Sequence, residues 1–584
     1  MSDTPQEAHG DHAPELRHRP RQYLVAPIPE HLLPAGFTPV ESDALFSQLQ
    51  QDPEVSVHGR IVPARHPSLE GKPPFPEVAV VQMPPHRAAA LDRDPQVHIE
   101  PNHHLRVACP YPTACAPAVE ARRSNPGVQL PAAPPTQVPF MVSASDGGPL
   151  ANAMVVVLTD ERNFQATTGP DGRAVVTLTV HDPTMVNGVY VKPGGDYWER
   201  WIPRPELSTE SDNLVILHPL SETFPGLPER QASGWGLTAM GLDRIPPTYR
   251  GQGVKVAIID SGAATSHPEL RNRVTRGIDL VGDEEKQWSV DVVGHGTHCA
   301  GVIGAADNGV GMLGIAVEAE LHACRVFPGG RYSEIIQALD YCIQNEIDVV
   351  NLSLGGDEPS ALVAQKIEQA RQAGIACIVA AGNSGGPVGF PARLPSVLTV
   401  AAIGRLGQFP SDTYHATQVW GQPSAQGYFS AAFSSHGPEV DVCAPGVAIL
   451  STVPDHSYAV WDGTSMATPH ITGLAALVLA HHPDFRNGYG VRDAHRVDRL
   501  FQLLRASCTP LDLGDPGRTG AGLPDAMRAL GLMTSPEAAA TAELAQLREA
   551  MRMAGLLPAV PGATADPIEQ LRQLLRAAGL LPTP

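Results

Sequence analysis

The sequence GTSMATPHITGLAALVLA at Gly463–Ala480 begins with a serine among small residues and continues as a long apolar run. The run predicts a helix buried in a core, and Ser465 would lie in its first turn. A helix start stabilises negative charge that develops beside it, because its free N–H groups and its dipole face that charge. Pro469 falls early enough in the helix to be tolerated. Ser465 is therefore a candidate nucleophile.

Two earlier segments supply the partners that a serine nucleophile needs. VAIIDSG at Val256–Gly262 predicts a strand that ends in Asp260, and GHGTHCAG at Gly294–Gly301 contains His295 between glycines. Serine is a poor nucleophile at neutral pH, so it needs an imidazole as general base and a carboxylate to orient that imidazole. Asp260, His295 and Ser465 are the predicted catalytic triad. Taken singly, each could instead be a buried Asp, a core His or a helix-capping Ser.

The chain order Asp, His, Ser is that of subtilisin, and it differs from the orders in chymotrypsin and the α/β-hydrolases. Other stretches also resemble subtilases: SHPEL (Ser266–Leu270), GVGMLGIA (Gly309–Ala316), VVNLSLGG (Val349–Gly356), AAGNSG (Ala380–Gly385) and FPARLPSVLTVAA (Phe390–Ala402). The wording GTHCAG around the histidine is similar to the proteinase K and thermitase branches. The resemblance implies a serine endopeptidase with an α/β fold, a parallel sheet flanked by helices.

The same resemblance implies an oxyanion hole and a peptide-binding edge. Asn383 would donate its side-chain amide to the oxyanion, with the backbone amide of Ser465 as second donor. An extended peptide would add as a strand beside the site, and small pocket walls imply a bulky apolar side chain before the cut. The implied substrate-binding residues are Ser353, Leu354, Gly355, Ala380, Gly382 and Gly389. A pocket for paired basic residues is the alternative, with Asp357 and Glu358 as the only nearby acids.

No cofactor is required for this chemistry, but the resemblance raises the question of structural calcium. The loop AADNGVG at Ala305–Gly311 matches in length the loop that supplies carbonyls and one Asn in many subtilases, here Asn308. Glu269 stands where those relatives have Asp. Calcium takes about six to eight oxygens, and no acidic cluster marks this loop. Asn308 and Glu269 are candidate metal ligands, and calcium binding stays open.

Residues 232–533 are the predicted catalytic domain. Two regions before it are predicted to be separate domains. Residues 22–108 have a βαββαβ order, a ferredoxin-like α+β pattern that resembles the subtilase propeptide. Such a propeptide occupies the substrate cleft until it is cut; a permanent regulatory domain is the alternative. Residues 137–222 predict short strands of a small β-sandwich, similar to transthyretin-like or carboxypeptidase-regulatory modules. The Pro-rich residues 109–136 predict an extended linker in which maturation could occur.

The charge and composition of the chain limit the partners and the cellular compartment that we expect. The 584 residues carry a formal charge of −20, which argues against nucleic acid as a partner. No apolar run approaches the roughly 18 residues of a membrane span. Residues 1–21 predict a disordered head without a signal peptide, so we expect a cytoplasmic enzyme or one exported by another route. The eight cysteines are scattered without metal-site spacing, which is typical of reduced core residues.

The tail, residues 534–584, contains an internal repeat. ELAQLREAMRMAGLLP at Glu543–Pro558 recurs as PIEQLRQLLRAAGLLP at Pro567–Pro582. Each copy predicts a short amphipathic helix that Gly and Pro terminate. The pair could dock on a partner or on this protein's own surface.

The sequence as a whole predicts a serine endopeptidase that cleaves proteins or peptides and matures itself. The rival hypothesis is a pseudoprotease, or a binding scaffold whose sandwich and tail matter more than its triad. Labelling by an irreversible serine-hydrolase probe would discriminate between the two.

Overall fold

The computed structural model describes residues 20–72, 74–107, 134–160, 162–180, 186–282, 287–356 and 358–533. The described chain up to Leu532 belongs to one compact unit. Within it, no helix is both long enough and apolar enough to traverse a lipid bilayer. The tail repeat and two of the eight cysteines, Cys109 and Cys115, lie outside the described residues. The six cysteines within them are buried and free.

The N-terminal domain is an antiparallel sheet of order β2-β3-β1-β4 with two helices on one face. Its elements are β1 (Arg21–Pro27), α1 (Ser42–Gln51), β2 (Ser56–Ile61), β3 (Val78–Met83), α2 (Pro85–Leu91), β4 (Val97–Pro101) and β5 (Arg106–Val107). Successive side chains of a strand face opposite ways. Val25 and Val81 therefore pack in the helix-side core, while Leu24 and Val80 belong to the core of the catalytic domain.

The end of this domain differs from the sequence prediction. The pattern predicts one strand through VHIEPNHHLRV, but the structure divides it into β4 and the separate β5. The chain leaves the sheet after Pro101, and Asn102 turns towards the catalytic domain, where its side chain bonds to Ser333. The split therefore has a tertiary cause, because β5 finds its partner in the catalytic domain.

The next domain consists of two packed sheets, of order β11-β10-β7-β8 and β12-β6-β9. Its strands are β6 (Thr136–Ala144), β7 (Met154–Thr159), β8 (Asn163–Thr167), β9 (Arg173–Leu178), β10 (Val186–Lys192), β11 (Arg200–Pro203) and β12 (Asn213–Leu217). In β9 exposed and buried residues alternate strictly, as expected for a strand with one wet face. The inward side chains, among them Phe140, Val155 and Val176, form a separate core.

The catalytic domain is built on a sheet of order β14-β15-β13-β16-β18-β19-β21-β20, with β22 also paired to β19. Its elements are α3 (Trp235–Ala239), β13 (Lys255–Asp260), β14 (Val274–Asp279), α4 (His295–Gly304), β15 (Glu320–Arg325), α5 (Tyr332–Gln344), β16 (Val349–Leu352), β17 (Leu354–Gly355), α6 (Ala361–Gln372), β18 (Ala376–Ala380), β19 (Leu398–Arg405), β20 (Val419–Trp420), β21 (Tyr428–Ala431), β22 (Val442–Pro445), β23 (Ile449–Val453), β24 (Ser457–Trp461), α7 (Thr464–His481), α8 (Asp484–Asn487), α9 (Ala494–Ala506), β25 (Cys508–Thr509), β26 (Leu523–Pro524) and α10 (Ala526–Ala529).

From β14 to β19 all neighbouring strands run parallel, so the predicted α/β fold with a parallel sheet is confirmed. The strands β13, β16 and β18 are almost continuously buried and apolar, because helices cover both faces of such a sheet. The central helix α7 is buried along nearly its whole length. Gly473 lets it approach Ile315 so closely that any side chain there would overlap Ile315. Ser465 thus begins a helix in the middle of the domain.

Candidate active site

Three structural elements bring the predicted triad segments together. Asp260 is the last residue of β13, His295 the first of α4, and Ser465 the second of α7. The Nδ1 atom of His295 lies 2.8 and 2.9 Å from the two carboxylate oxygens of Asp260. Helices α4 and α7 pack against each other. Asp260 is wholly buried and His295 nearly so, so their interaction is shielded from water.

Ser465 exchanges two hydrogen bonds with Ser353, the residue that follows β16. Its hydroxyl donates to the carbonyl of Ser353 over 3.1 Å, and the Ser353 hydroxyl donates to the carbonyl of Ser465 over 2.9 Å. Cys299 lies on the other side, with Sγ 3.5 Å from the Ser465 carbonyl oxygen and 4.0 Å from Oδ2 of Asp260. Burial raises the pKa of the Cys299 thiol, with the Asp260 carboxylate adding to the shift. Cys299 therefore stays a neutral thiol that fills space.

Asn383 carries a donor that has no acceptor in the described part of the chain. Its Oδ1 accepts hydrogen bonds from the amide and the hydroxyl of Thr464, at 2.9 and 2.8 Å. These bonds fix which way the amide points. Its Nδ2 is buried and without a hydrogen-bond partner. Buried polar atoms are rarely left unsatisfied, so this one is available for an atom that arrives with a substrate.

The predicted substrate-binding edge already holds a strand. Leu354 and Gly355 of β17 pair antiparallel with Val107 and Arg106 of β5. On the opposite side of that strand, the amide of Leu105 donates to the carbonyl of Gly330 over 2.8 Å. The last described residues of the N-terminal domain thus lie as an extended strand between two segments of the catalytic domain. This is the strand-addition mode by which sheet edges bind peptides.

The predicted pocket residues Ala380, Gly382 and Gly389 lie at the end of β18 and in the loop that follows it. Ala380 ends β18, and Gly382 has a φ of +110°, a conformation that favours glycine. The amide of Gly389 donates to the carbonyl of Ala381 over 3.2 Å and closes the loop. Of the two acids considered for a basic-residue pocket, Glu358 is exposed and accepts a bond from Tyr332 through its backbone carbonyl, and Asp357 lies outside the described residues.

Two residues of the N-terminal domain bind the N-termini of helices in the catalytic domain, and sequence reasoning missed both contacts. The carboxylate of Glu100 accepts hydrogen bonds from the Ser360 hydroxyl and, at 2.9 Å, from the Ala361 amide at the start of α6. Asn102 accepts from the Ser333 amide at the start of α5 over 3.1 Å. A carboxylate is favoured at a helix N-terminus because unpaired N–H groups point there. Nothing local in the sequence around Glu100 signals this distant contact.

A buried lysine lies beneath the same domain. Lys366 of α6 is fully buried and donates to Asp340 over 2.7 Å and to Gln369 over 2.8 Å. Its Nζ also lies 3.7 Å from the ring centre of Phe75, a residue of the N-terminal domain. Burial lowers the pKa of Lys366, and the Asp340 carboxylate opposes that shift. The N-terminal domain therefore covers a charged pair that belongs to the catalytic domain.

The candidate calcium ligands fit a cation in part. Glu269 is fully buried, with Oε1 bonded to the Tyr458 hydroxyl at 3.0 Å and Oε2 without a hydrogen-bond partner among the described residues. The carbonyls of Ala306 and Met312 both lie within hydrogen-bond distance of the Gln231 amide group, at 2.8 and 3.3 Å. Asn308 is exposed, and its Oδ1 accepts from the amide of Val310. Carbonyl, carboxylate and amide oxygens of this kind are what calcium prefers.

Comparison with known proteins places this site in a family. The model of the subtilase family, peptidase S8, matches residues 251–500, which include all three triad positions. Subtilisin E of Bacillus subtilis (strain 168) is 41% identical over 253 residues, 42% of this chain and 60% of the relative. Subtilisin of Bacillus pumilus is 41% identical over 267 residues, 44% of this chain and 87% of the relative. Subtilisin DY of Bacillus licheniformis is 36% identical over 302 residues, 50% of this chain and 97% of the relative.

The chain thus covers 60% of the length of subtilisin E, but nearly all of subtilisin DY. The matched region begins just before β13 and ends within α9, so it contains the parallel sheet and the helices that carry His295 and Ser465. The N-terminal domain and the β-sandwich lie before it. On the strength of these matches, the chain belongs to the subtilase family.

Proposed function

We propose that the protein is a serine endopeptidase that works through an acyl-enzyme. Ser465 Oγ attacks the peptide carbonyl while His295 takes the hydroxyl proton, and Asp260 holds the imidazole and stabilises its charged form. The observation that carries this proposal is the buried Asn383 Nδ2. Thr464, in the segment that bears the nucleophile, fixes the side chain through its oxygen Oδ1, and Nδ2 would donate to the oxyanion together with the Ser465 amide.

The second half of the reaction uses the same groups in reverse. The His295 imidazolium gives its proton to the leaving amine, which departs as the C–N bond breaks and the Ser465 ester remains. Water then attacks the ester while His295 takes a proton from it. The bond between the acyl carbon and Ser465 Oγ breaks, His295 returns the proton to Oγ, and the acid product leaves. Each proton moves through one imidazole, so Asp260 has no need to exchange protons itself.

A fluorophosphonate probe and casein test this function. Purified wild type should be labelled and should hydrolyse casein, and Ser465→Ala should do neither. Absence of labelling in a folded wild-type chain that has lost its N-terminal domain would favour the pseudoprotease or scaffold hypothesis. Labelling without hydrolysis of casein would instead indicate an endopeptidase of narrow selectivity.

We also propose that residues 22–108 inhibit the enzyme and are removed by it. The support is the β5–β17 pairing, in which a strand of the same chain lies on the peptide-binding edge. Val107, the last described residue of this domain, pairs with Leu354, which directly follows Ser353, and the Ser353 carbonyl contacts the Ser465 hydroxyl. The bond Ala108–Cys109 is therefore the proposed site of cleavage.

Mass measurement of the chain over time tests this maturation. Wild type should lose a fragment that ends at Ala108, and Ser465→Ala should keep its full mass. Loss of the same fragment from the Ser465→Ala chain on its own would show that another mechanism cuts the segment.

For substrates, we propose a preference for bulky apolar residues before the cut, with proteins or peptides as the class. The support is the absence of side-chain bulk at Gly382 and Gly389 and the single methyl group at Ala380. Peptides that differ only in Phe, Ala or Arg before the scissile bond measure it directly. A preference for Arg would overturn the proposal in favour of the basic-residue pocket.

A further inference from the structure

The β-sandwich meets the catalytic domain through a buried ionic cluster. The cluster consists of Glu199 from the sandwich and of His415 and Asp462 from the catalytic domain, which are 6%, 0% and 1% exposed. Nδ1 of His415 lies 2.7 Å from Oδ1 of Asp462, and its Nε2 lies 3.6 Å from Oε1 of Glu199. Charged groups this far from water persist only when they are paired. The three side chains therefore form one unit that spans two domains.

Each end of the cluster is anchored in its own domain. The hydroxyl of Tyr190 on β10 donates to Oε2 of Glu199 over 2.5 Å. At the other end, Oδ1 of Asp462 accepts the backbone amide of Ala448 over 2.7 Å. The rings of Trp198 and His415 pack in a T-shaped arrangement, with centroids 5.7 Å apart. The imidazole is thus held between a carboxylate of each domain and an aromatic ring of the sandwich.

Asp462 begins the segment that carries the nucleophile. Gly463 follows it with a φ of +149°, which disfavours any other residue, and its amide donates to the carbonyl of Gly446 over 2.8 Å. Thr464 comes next and is bonded to Asn383. The cluster therefore fixes one side of this short segment, and the oxyanion residue fixes the other. A displacement of Asp462 would reach Ser465 within three residues.

The charges in the cluster favour a cationic imidazole. Burial alone would lower the pKa of His415, but the carboxylates of Asp462 and Glu199 raise it to about 9. At neutral pH the ring is therefore an imidazolium between two acids, and above about pH 9 the acids would face a neutral ring. Among the described residues, Tyr190, Lys192 and Tyr414 are further titratable groups that interact with the cluster.

We propose that Glu199 is a positioning residue for Ser465, so that the β-sandwich is a permanent part of the working enzyme. Glu199 orients His415, His415 orients Asp462, and Asp462 fixes the entry into α7. The sandwich is further attached by the Trp201 amide, which donates to the Asp412 carbonyl over 2.9 Å, and by Lys192, whose Nζ lies 4.4 Å from the Trp461 ring centre. This inference rests on the proposed peptidase function, which supplies its readout.

The test compares Glu199→Gln with wild type in the mature, self-processed enzyme. We expect kcat on a peptide substrate to fall about tenfold with KM within about twofold, since small misplacements of a nucleophile cost up to 10²-fold in rate. The alkaline limb of the pH–kcat profile should also move to lower pH, because His415 loses one of its two anionic partners. Glu210→Gln, at an exposed carboxylate of the same domain, is the matched control and should change neither quantity.

Different outcomes test the positioning role of Glu199 and the peptidase function on which it rests. An unchanged kcat together with an unchanged alkaline limb in Glu199→Gln would overturn the positioning role. A wild-type enzyme that no fluorophosphonate labels would instead overturn the peptidase function. If circular dichroism shows Glu199→Gln to be unfolded, Asp462→Asn replaces it, because it removes charge at nearly constant shape. That variant must then show the same loss of kcat and the same shift of the limb, and a wild-type profile would count against the proposal.

Discussion

Asn383 accepts two hydrogen bonds from Thr464, one from its amide at 2.9 Å and one from its hydroxyl at 2.8 Å. Both bonds end on the oxygen of the Asn383 side chain, so its nitrogen is presented to the space beside Ser465. The residue that would stabilise the oxyanion is thus oriented by the residue next to the nucleophile. A displacement of either side chain would therefore shift the other.

Replacing Asn383 should therefore lower turnover and leave binding nearly intact. We expect Asn383→Ala to reduce kcat by about 10²–10³-fold, the range known for removal of one such donor from subtilisin itself, with KM within about twofold. Steady-state kinetics on a peptide amide measure both constants. Asn487→Ala, at an exposed position on α8, serves as control. A rise in KM at constant kcat would assign Asn383 to substrate binding alone.

The Glu100 carboxylate at the start of α6 should set how long the N-terminal domain stays bound. Hydrogen bonds to a charged group contribute about 1.5–3 kcal/mol, so their weakening in Glu100→Gln should shorten the lag before casein hydrolysis about tenfold. The lag is read from progress curves of freshly purified full chain. Glu70→Gln, an exposed carboxylate of the same domain, should keep the wild-type lag. Equal lags in both variants would show that Glu100 does not control release.

Removing only one member of the buried Asp340–Lys366 pair should destabilise the protein more than replacing both members. Asp340→Ala leaves the buried ammonium of Lys366 without its carboxylate, which costs about 3–5 kcal/mol. The double variant Asp340→Ala/Lys366→Met should recover most of that loss, because an apolar side chain of similar length then fills the site. Urea unfolding of the Ser465→Ala chain measures both variants without self-digestion. A double variant as unstable as the single one would show that lost packing, and not the unpaired charge, causes the loss of stability.

Calcium, if it binds the loop at residues 305–311, should stabilise the protein through Glu269. Calcium at 100 times its Kd contributes about 2.7 kcal/mol, which for a chain of this size raises Tm by about 2 °C. A chelator should remove that increment from wild type, and Glu269→Gln should lack it from the start. The exposed Glu439→Gln is the control. A wild-type Tm that is identical with calcium and with chelator would show that the loop is held by its own hydrogen bonds.

The triad segments could be predicted from sequence because each carries its signal locally. Asp260 ends an apolar strand, and His295 and Ser465 begin helices, so short motifs mark all three. The parallel sheet was equally predictable, because buried strands such as β16 and β18 are continuous apolar runs.

The domain contacts could not be predicted in this way. Glu199, His415 and Asp462 come from three distant segments, and each looks ordinary beside its neighbours in the chain. The sequence predicts β4 and β5 as one strand for a related reason, since a strand pattern does not tell which sheet a residue will join. Only the tertiary structure supplies the partner.

The strand β5 and its partner β17 belong to one covalent chain, so the proposed inhibitor is tethered to the site that it would block. While the chain is whole, the strand competes with substrates at an effective concentration in the millimolar range, whatever the dilution of the protein. Once the chain is cut, the same strand must compete at its actual concentration. After cleavage, a concentrated sample would then still be inactive, and dilution would start the hydrolysis of substrate. The onset of activity should therefore depend on the concentration of the protein itself.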